Sequence, residues 1–214
     1  MNIWIAIGMS IVIGFGVSFG LGYVLIPWLH KLKFGQTILD IGPSWHRKKQ
    51  GTPTMGGFLF IIGFVLSFAV VLITDKMRGG NILAWGTDKP QELLYIKIFA
   101  GILMAAGFGF IGFIDDYIKV VKKRNLGLTE FQKTVLQLLV SIAYLFTLYH
   151  FAGIDYMFIP YYGALKSTLL FWVVGIAALY CTTNAVNFLD GVDGLCASVT
   201  SLVCLAFAGA AALR

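Results

Sequence analysis

Two adjacent carboxylates, Asp115 and Asp116, follow directly on an uncharged run from Ile98 to Ile114. Neighbouring carboxylates repel each other, and beside hydrocarbon each is costly to ionise. A divalent cation relieves both problems, and Mg²⁺ is the usual ion where one or two carboxylates work together with phosphates. Asp115 and Asp116 are therefore the candidate metal ligands and catalytic pair. Lys119, Lys122, Lys123 and Arg124 come next and could hold a polyanionic substrate. A solvated helix end accounts for these cations equally well, but not for paired aspartates.

A second group, Asn184, Asn187, Asp190 and Asp193, recurs every third residue. On a helix that spacing keeps neighbours close while the stripe winds slowly round the axis. Gly191 and Gly194 argue against a continuous helix and let the backbone turn towards a ligand. Such short amides and carboxylates can read a nucleobase or ribose and support a metal. Helix capping explains one Asp or Asn here, not four. The Asp-Gly-Val-Asp-Gly stretch matches a calcium loop only in part, lacking the remaining EF-hand ligands and the terminal Glu.

Gly51 to Gly56 has the outer glycines of a phosphate loop, but Gly57-Phe58 stands where Lys-Ser/Thr should be, so a Walker A reading fails. Thr52 suits a helix cap and Pro53 a first turn. Lys49, just before this segment, and Thr54, within it, could touch substrate. Lys133, with Gln137 one turn further on the same face, either snorkels to lipid headgroups or faces the acidic cluster. His30, His46 and His150 form no metal pattern.

The elements that must position these residues are membrane helices. The chain is 58% hydrophobic and 12% charged, with mean hydropathy +0.85, whereas soluble domains carry about a quarter charged residues. Residues 1–29 contain no charge, enough to span about 30 Å of hydrocarbon. No cation precedes this run and no small-residue cleavage site ends it, so a removable signal peptide is not expected. Six spans are expected: 3–28, 56–74, 93–114, 132–151, 167–184 and 195–213. These continuous apolar runs lack the alternation of a membrane β-barrel. The repeated glycines of the first span, Gly16 and Gly20 included, would permit close helix packing. Cys181, Cys196 and Cys204 read as buried thiols, with neither a disulfide framework nor a zinc site.

Lys31, Lys33, Arg47, Lys48, Lys49, Lys119, Lys122, Lys123, Arg124 and Lys133 fall on one side of these spans. The positive-inside rule makes that side cytoplasmic and the N-terminus external. Topology thus explains the net charge of +6, and no nucleic-acid partner is expected. All three polar motifs arrive at the same face, an argument that uses no motif. The expectation is an all-α polytopic integral membrane protein, residues 1–214 forming one membrane domain, with the site in cytoplasmic loops.

Phe34-Gly35-Gln36, Gly51–Gly57, Gly112–Tyr117 and Asn184–Gly194, in this order, resemble the phospho-N-acetylmuramoyl-pentapeptide transferase family. That family lies within the polyprenyl-phosphate N-acetylhexosamine 1-phosphate transferase superfamily. The aspartate pair and the Asn/Asp stretch mark the superfamily; the Gly-Thr-Pro-Thr-Met-Gly-Gly segment marks the branch. The resemblance implies Mg²⁺-dependent transfer of phospho-MurNAc-pentapeptide from UDP to undecaprenyl phosphate, giving lipid I and UMP. This would be the first membrane step of peptidoglycan synthesis, in the bacterial inner membrane. It implies catalytic or metal roles for Asp115 and Asp116, and a nucleotide site lined by Asn184, Asn187, Asp190 and Asp193. Lys49, Thr54, Lys119, Lys122, Lys123 and Lys133 would touch phosphate or nucleotide. The family's later Met-Gly-Asp-Val-Gly-type aspartate, its His-His-His motif and its further helices have no counterpart, so the resemblance implies the N-terminal portion of such an enzyme.

Other readings are a transferase for another UDP-N-acetylhexosamine, a non-catalytic membrane scaffold, or an ion-coupled transporter with the aspartates as cation site. Transporter sites usually lie near the bilayer midplane between repeats, and neither feature is visible here. Oligomeric state stays open, a homo-oligomer included.

Overall fold

The computed structural model describes residues 1–31, 55–84, 90–122, 126–159 and 161–212. Its helices are α1 (Ile3–Lys31), α2 (Phe58–Met77), α3 (Gln91–Val121), α4 (Glu130–Ala152), α5 (Thr168–Leu189) and α6 (Leu195–Ala212). Five of them are long and apolar enough to cross a membrane, and α6 is a shorter apolar helix. The chain is a multi-pass membrane protein. Its large apolar side chains point outward, Phe15, Phe60, Leu103, Leu139 and Phe207 among them. In water that pattern would be ruinous; in lipid it is the ordinary solvation of a spanning helix, which satisfies its backbone internally.

Two compact units divide the chain, Met1–Lys133 and Thr134–Arg214. In the first, α1 and α2 pack through small residues. Ser67 Oγ donates to Ser10 O at 2.9 Å, and Ser18 Oγ to Leu59 O at 3.2 Å. The glycines that matter are Gly14 and Gly63: a Cβ at Gly63 would collide with Ser18 Oγ and lie 2.9 Å from Gly14 O. Gly16 and Gly20, expected at the packing face, have open space where a Cβ would stand. Of the repeated glycines of the first span, Gly14 is the one at this contact.

At the far end of α2, Asp75 is 2% exposed. Its carboxylate accepts from the Met1 amino group at 2.6 Å and from Ile82 N–H at 2.6 Å. The Asp75 carbonyl accepts from Gly80 N–H at 2.9 Å, and a Cβ on Gly80 would strike the carboxylate. Hydropathy gave no hint of this clasp, because it records a charge at a span end without its partners.

In the second unit, β1 (Tyr156–Ile159) and β2 (Gly163–Lys166) form an antiparallel hairpin between α4 and α5. Asp155 and Lys166 pair at 3.1 Å across its open end. Ser167 then caps α5, its Oγ accepting from Leu170 N–H. The thiols are free, and Cys181 and Cys204 are exposed rather than buried. An apolar residue of a membrane helix is as well placed against lipid as against protein, so the expectation of burial failed.

The α1–α2 contact yields a direct test. Gly63→Ala should destabilise the protein by about 1–3 kcal/mol through overpacking. Gly16→Ala, with open space at its Cβ, should be neutral or slightly stabilising. Thermal unfolding of both variants in detergent distinguishes the two glycines.

Candidate functional site

Residues on α3 supply the first polar cluster. At 1.5 Å per residue its 31 residues extend about 46 Å, well beyond about 30 Å of hydrocarbon. The helix therefore continues past the apolar run, and its last turns carry Asp115, Asp116 and Lys119. Lys119 Nζ lies 2.5 Å from Asp115 Oδ2 (i, i+4) and 3.3 Å from Asp116 Oδ1 (i, i+3). One cation thus spans both carboxylates, neutralising the repulsion that adjacency creates.

The two aspartates are not equivalent. Asp115 is 14% exposed at its side chain, and its second oxygen accepts from Leu128 N–H at 2.8 Å. Gly127 permits that approach: a Cβ there would collide with the Asp115 carboxylate and lie 2.7 Å from its carbonyl oxygen. Both Asp115 oxygens are thus engaged. Asp116 is 35% exposed, and its bond to Lys119 is the longer one. Asp115 ties the chain after α3 back onto the helix, and Asp116 keeps the more open carboxylate.

The segment so tied leads into α4 through a reciprocal cap. Thr129 N–H donates to Gln132 Oε1 at 3.1 Å, and Gln132 N–H donates to Thr129 Oγ1 at 3.2 Å. This is a capping box, legible in Thr129-x-x-Gln132 but absent from the sequence reading. Lys133 follows in the first turn of α4, half-buried, and Lys122 sits exposed at the end of α3. At the start of α2, the Phe58 ring lies 5.6 Å from that of Phe113. The Gly56-Gly57 end of the first motif therefore adjoins the part of α3 that carries the aspartates. Lys49, Thr54 and Lys123 lie outside the described residues, as does the expected cap at Thr52.

The second unit carries the Asn/Asp stretch. Asn184 and Asn187 are on α5, Asp190 is its C-cap, and Asp193 lies in the turn before α6. Gly191 N–H donates to Phe188 O and Val192 N–H to Leu189 O, while Gly194 adopts φ +76°. The helix break expected at the glycines is present, and Asn187, Asp190 and Asp193 are exposed around it. Asn184 is half-buried and differs from the others. Its Nδ2 donates at 2.9 Å to Gln137 Oε1 on α4 and at 2.9 Å to Tyr180 O. Beside it, Thr134 Oγ1 and Tyr180 Oη are hydrogen-bonded at 3.2 Å.

Among the described residues, no three His, Cys, Asp or Glu converge as a metal cage. Paired carboxylates do fit an ion that takes its remaining ligands from water and substrate phosphates, as Mg²⁺ does. Lys119 lies where positive charge is wanted between them.

These elements define a multi-pass membrane protein with an acid–lysine cluster at one helix end and an amide–carboxylate turn on another. The chain belongs to glycosyl transferase family 4, whose sequence profile matches residues 98–214. Residues 49–61 match phospho-N-acetylmuramoyl-pentapeptide-transferase signature 1. Relatives named phospho-N-acetylmuramoyl-pentapeptide-transferase include one from Clostridium botulinum (strain Eklund 17B / Type B), 41% identical over 93% of this chain and 56% of its own length. Another, from Heliobacterium modesticaldum (strain ATCC 51547 / Ice1), is 39% identical over 94% of this chain and 57% of its own length. The chain spans about half the length of these relatives.

The close approach at Gly127 makes a second test. Gly127→Ala should cost about 1–3 kcal/mol by parting Leu128 N–H from Asp115. Gly109→Ala, on α3 and open at its Cβ, should cost nothing measurable. Chemical denaturation of the two variants checks this.

Proposed function

We propose that this chain serves transfer of phospho-MurNAc-pentapeptide from its UDP carrier to undecaprenyl phosphate, giving lipid I and UMP. The observation that carries the reading is the Asp115–Lys119–Asp116 cluster at the end of α3, within a family of glycosyl transferases. The signature match at 49–61 and the relatives' names favour the muramoyl-pentapeptide substrate over another UDP-N-acetylhexosamine. The positive-inside bias of the loops supports a site at the cytoplasmic face of the bacterial membrane.

In the reaction an oxygen of the lipid phosphate attacks the sugar-linked phosphorus of UDP-MurNAc-pentapeptide. A new P–O bond forms, the anhydride bond to the other phosphorus breaks, and UMP departs with that electron pair. The nucleophile is already anionic near neutral pH, so no proton need be removed from it. Catalysis then rests on positioning and charge. Asp116, with its more open carboxylate, and Asp115 would hold Mg²⁺, which supplies charge neutralisation at the phosphates when bound. Lys119, once its carboxylate partners are shared, can turn to a phosphate oxygen. Lys122, Lys123, Lys133, Lys49 and Thr54 would add phosphate or nucleotide contacts. Asn187, Asp190 and Asp193 present exposed acceptors suited to nucleoside hydroxyl and N–H groups.

Asp116→Asn and Asp193→Asn test these roles. Each should lower lipid I formation by about 100-fold or more, the scale of losing one electrostatic group at a reacting centre, with membrane insertion unchanged. Radiolabelled UDP-MurNAc-pentapeptide, compared with UDP-GlcNAc, gives the readout. Wild-type turnover in either variant contradicts the site, and preference for UDP-GlcNAc contradicts the substrate.

A further inference from the structure

We propose that Gln137 is a positioning residue that fixes the Asn184 carboxamide so that it meets a nucleotide only as a hydrogen-bond acceptor. The inference rests on the nucleotide reading given above and adds to it a residue and a polarity.

The hydrogen bonds determine the amide's orientation. The Tyr180 carbonyl can only accept, so the group 2.9 Å from it must be Asn184 Nδ2. The same Nδ2 lies 2.9 Å from the Gln137 side chain, which must therefore present Oε1. Both N–H bonds of Asn184 are consumed by these two acceptors. Among the described residues none donates to Asn184 Oδ1, and the residue is half-buried rather than sealed. What remains for a ligand is an oxygen, which suits a donor: a uracil N–H or a ribose hydroxyl.

Gln137 is built to impose this. It is 2% exposed on α4, and its own backbone carbonyl accepts from Ser141 Oγ, which is fully buried, at 2.8 Å. A side chain so enclosed has few rotamers. Turning the Asn184 amide over would set its oxygen against the Tyr180 carbonyl and, with the buried Gln137 side chain held in place, against Gln137 Oε1 as well. A simpler role is helix-to-helix adhesion, which polar pairs supply in membranes. The neighbouring Thr134–Tyr180 bond joins the same two helices without touching the Asn184 side chain. It therefore serves as an internal control for adhesion alone.

The test is isothermal titration of the purified chain with UMP in Mg²⁺, alongside thermal unfolding. Gln137→Leu should weaken UMP binding by about tenfold, the scale of one misplaced hydrogen bond. Gln137→Glu keeps an oxygen acceptor and should restore affinity to within about threefold. In an Asn184→Ala background, Gln137→Leu should cause no further loss, because it acts through that amide. Thr134→Val should lower the unfolding temperature without changing affinity. Unchanged affinity in Gln137→Leu, or losses that add in the double variant, would overturn the proposal. If Gln137→Leu does not fold, a folded Gln137→Glu that fails to bind overturns it instead. Absence of UMP binding by the wild-type chain would remove the nucleotide reading itself, and this inference with it.

Discussion

Hydrocarbon offers neither water to a backbone polar group nor a counterion to a charge, and that constraint governs most of this structure. Backbone groups are satisfied inside continuous helices, so the apolar runs become α1 to α6. Charges are driven to the helix ends, where they appear in the company of partners. Asp75 is clasped by the Met1 amino group and Ile82 N–H; Asp115 is held by Lys119 and Leu128 N–H. Polar groups within the helices are met side by side, as Asn184 meets Gln137.

At the end of α3 the same constraint shapes the polar cluster. A lysine at i+4 from one aspartate and i+3 from the next holds two like charges together. The chain after α3 folds back through Gly127 and takes one oxygen of Asp115, leaving Asp116 the more open of the two. A residue pair that looks symmetrical in sequence is thereby divided into an anchored carboxylate and an accessible one. In the second unit, four residues spaced alike also part company. Asn184 is engaged by α4, whereas Asn187, Asp190 and Asp193 stand exposed at the turn.

Hydropathy and charge made the spans legible, along with the polar motifs at their ends and the break at Gly191–Gly194. They mark the apolar span and not the whole helix. The third span was expected over 93–114, and α3 continues past it to Val121; the fifth was expected over 167–184, and α5 continues to Leu189. Hydropathy stops at the first charge, whereas the helix continues while i, i+3 and i, i+4 pairs support it. The repeated glycines of the first span announced close packing, but spacing within one helix does not say that Gly14 is the one that meets α2. Asp75, Gly127 and the pairing of Gln137 with Asn184 depend on residues distant in the chain, which no local pattern contains. Thr129-x-x-Gln132 is different: its capping signature is local and was there to be read.

We propose that a carboxylate pair held by lysine at a membrane-helix end serves phosphate transfer to a lipid. The most direct measurement is UMP release by this chain in liposomes containing undecaprenyl phosphate, with UDP-MurNAc-pentapeptide supplied and Mg²⁺ added or chelated. The expected result is UMP release that requires both the lipid phosphate and Mg²⁺. UMP release indifferent to the lipid phosphate, or undiminished when Mg²⁺ is chelated, would contradict it.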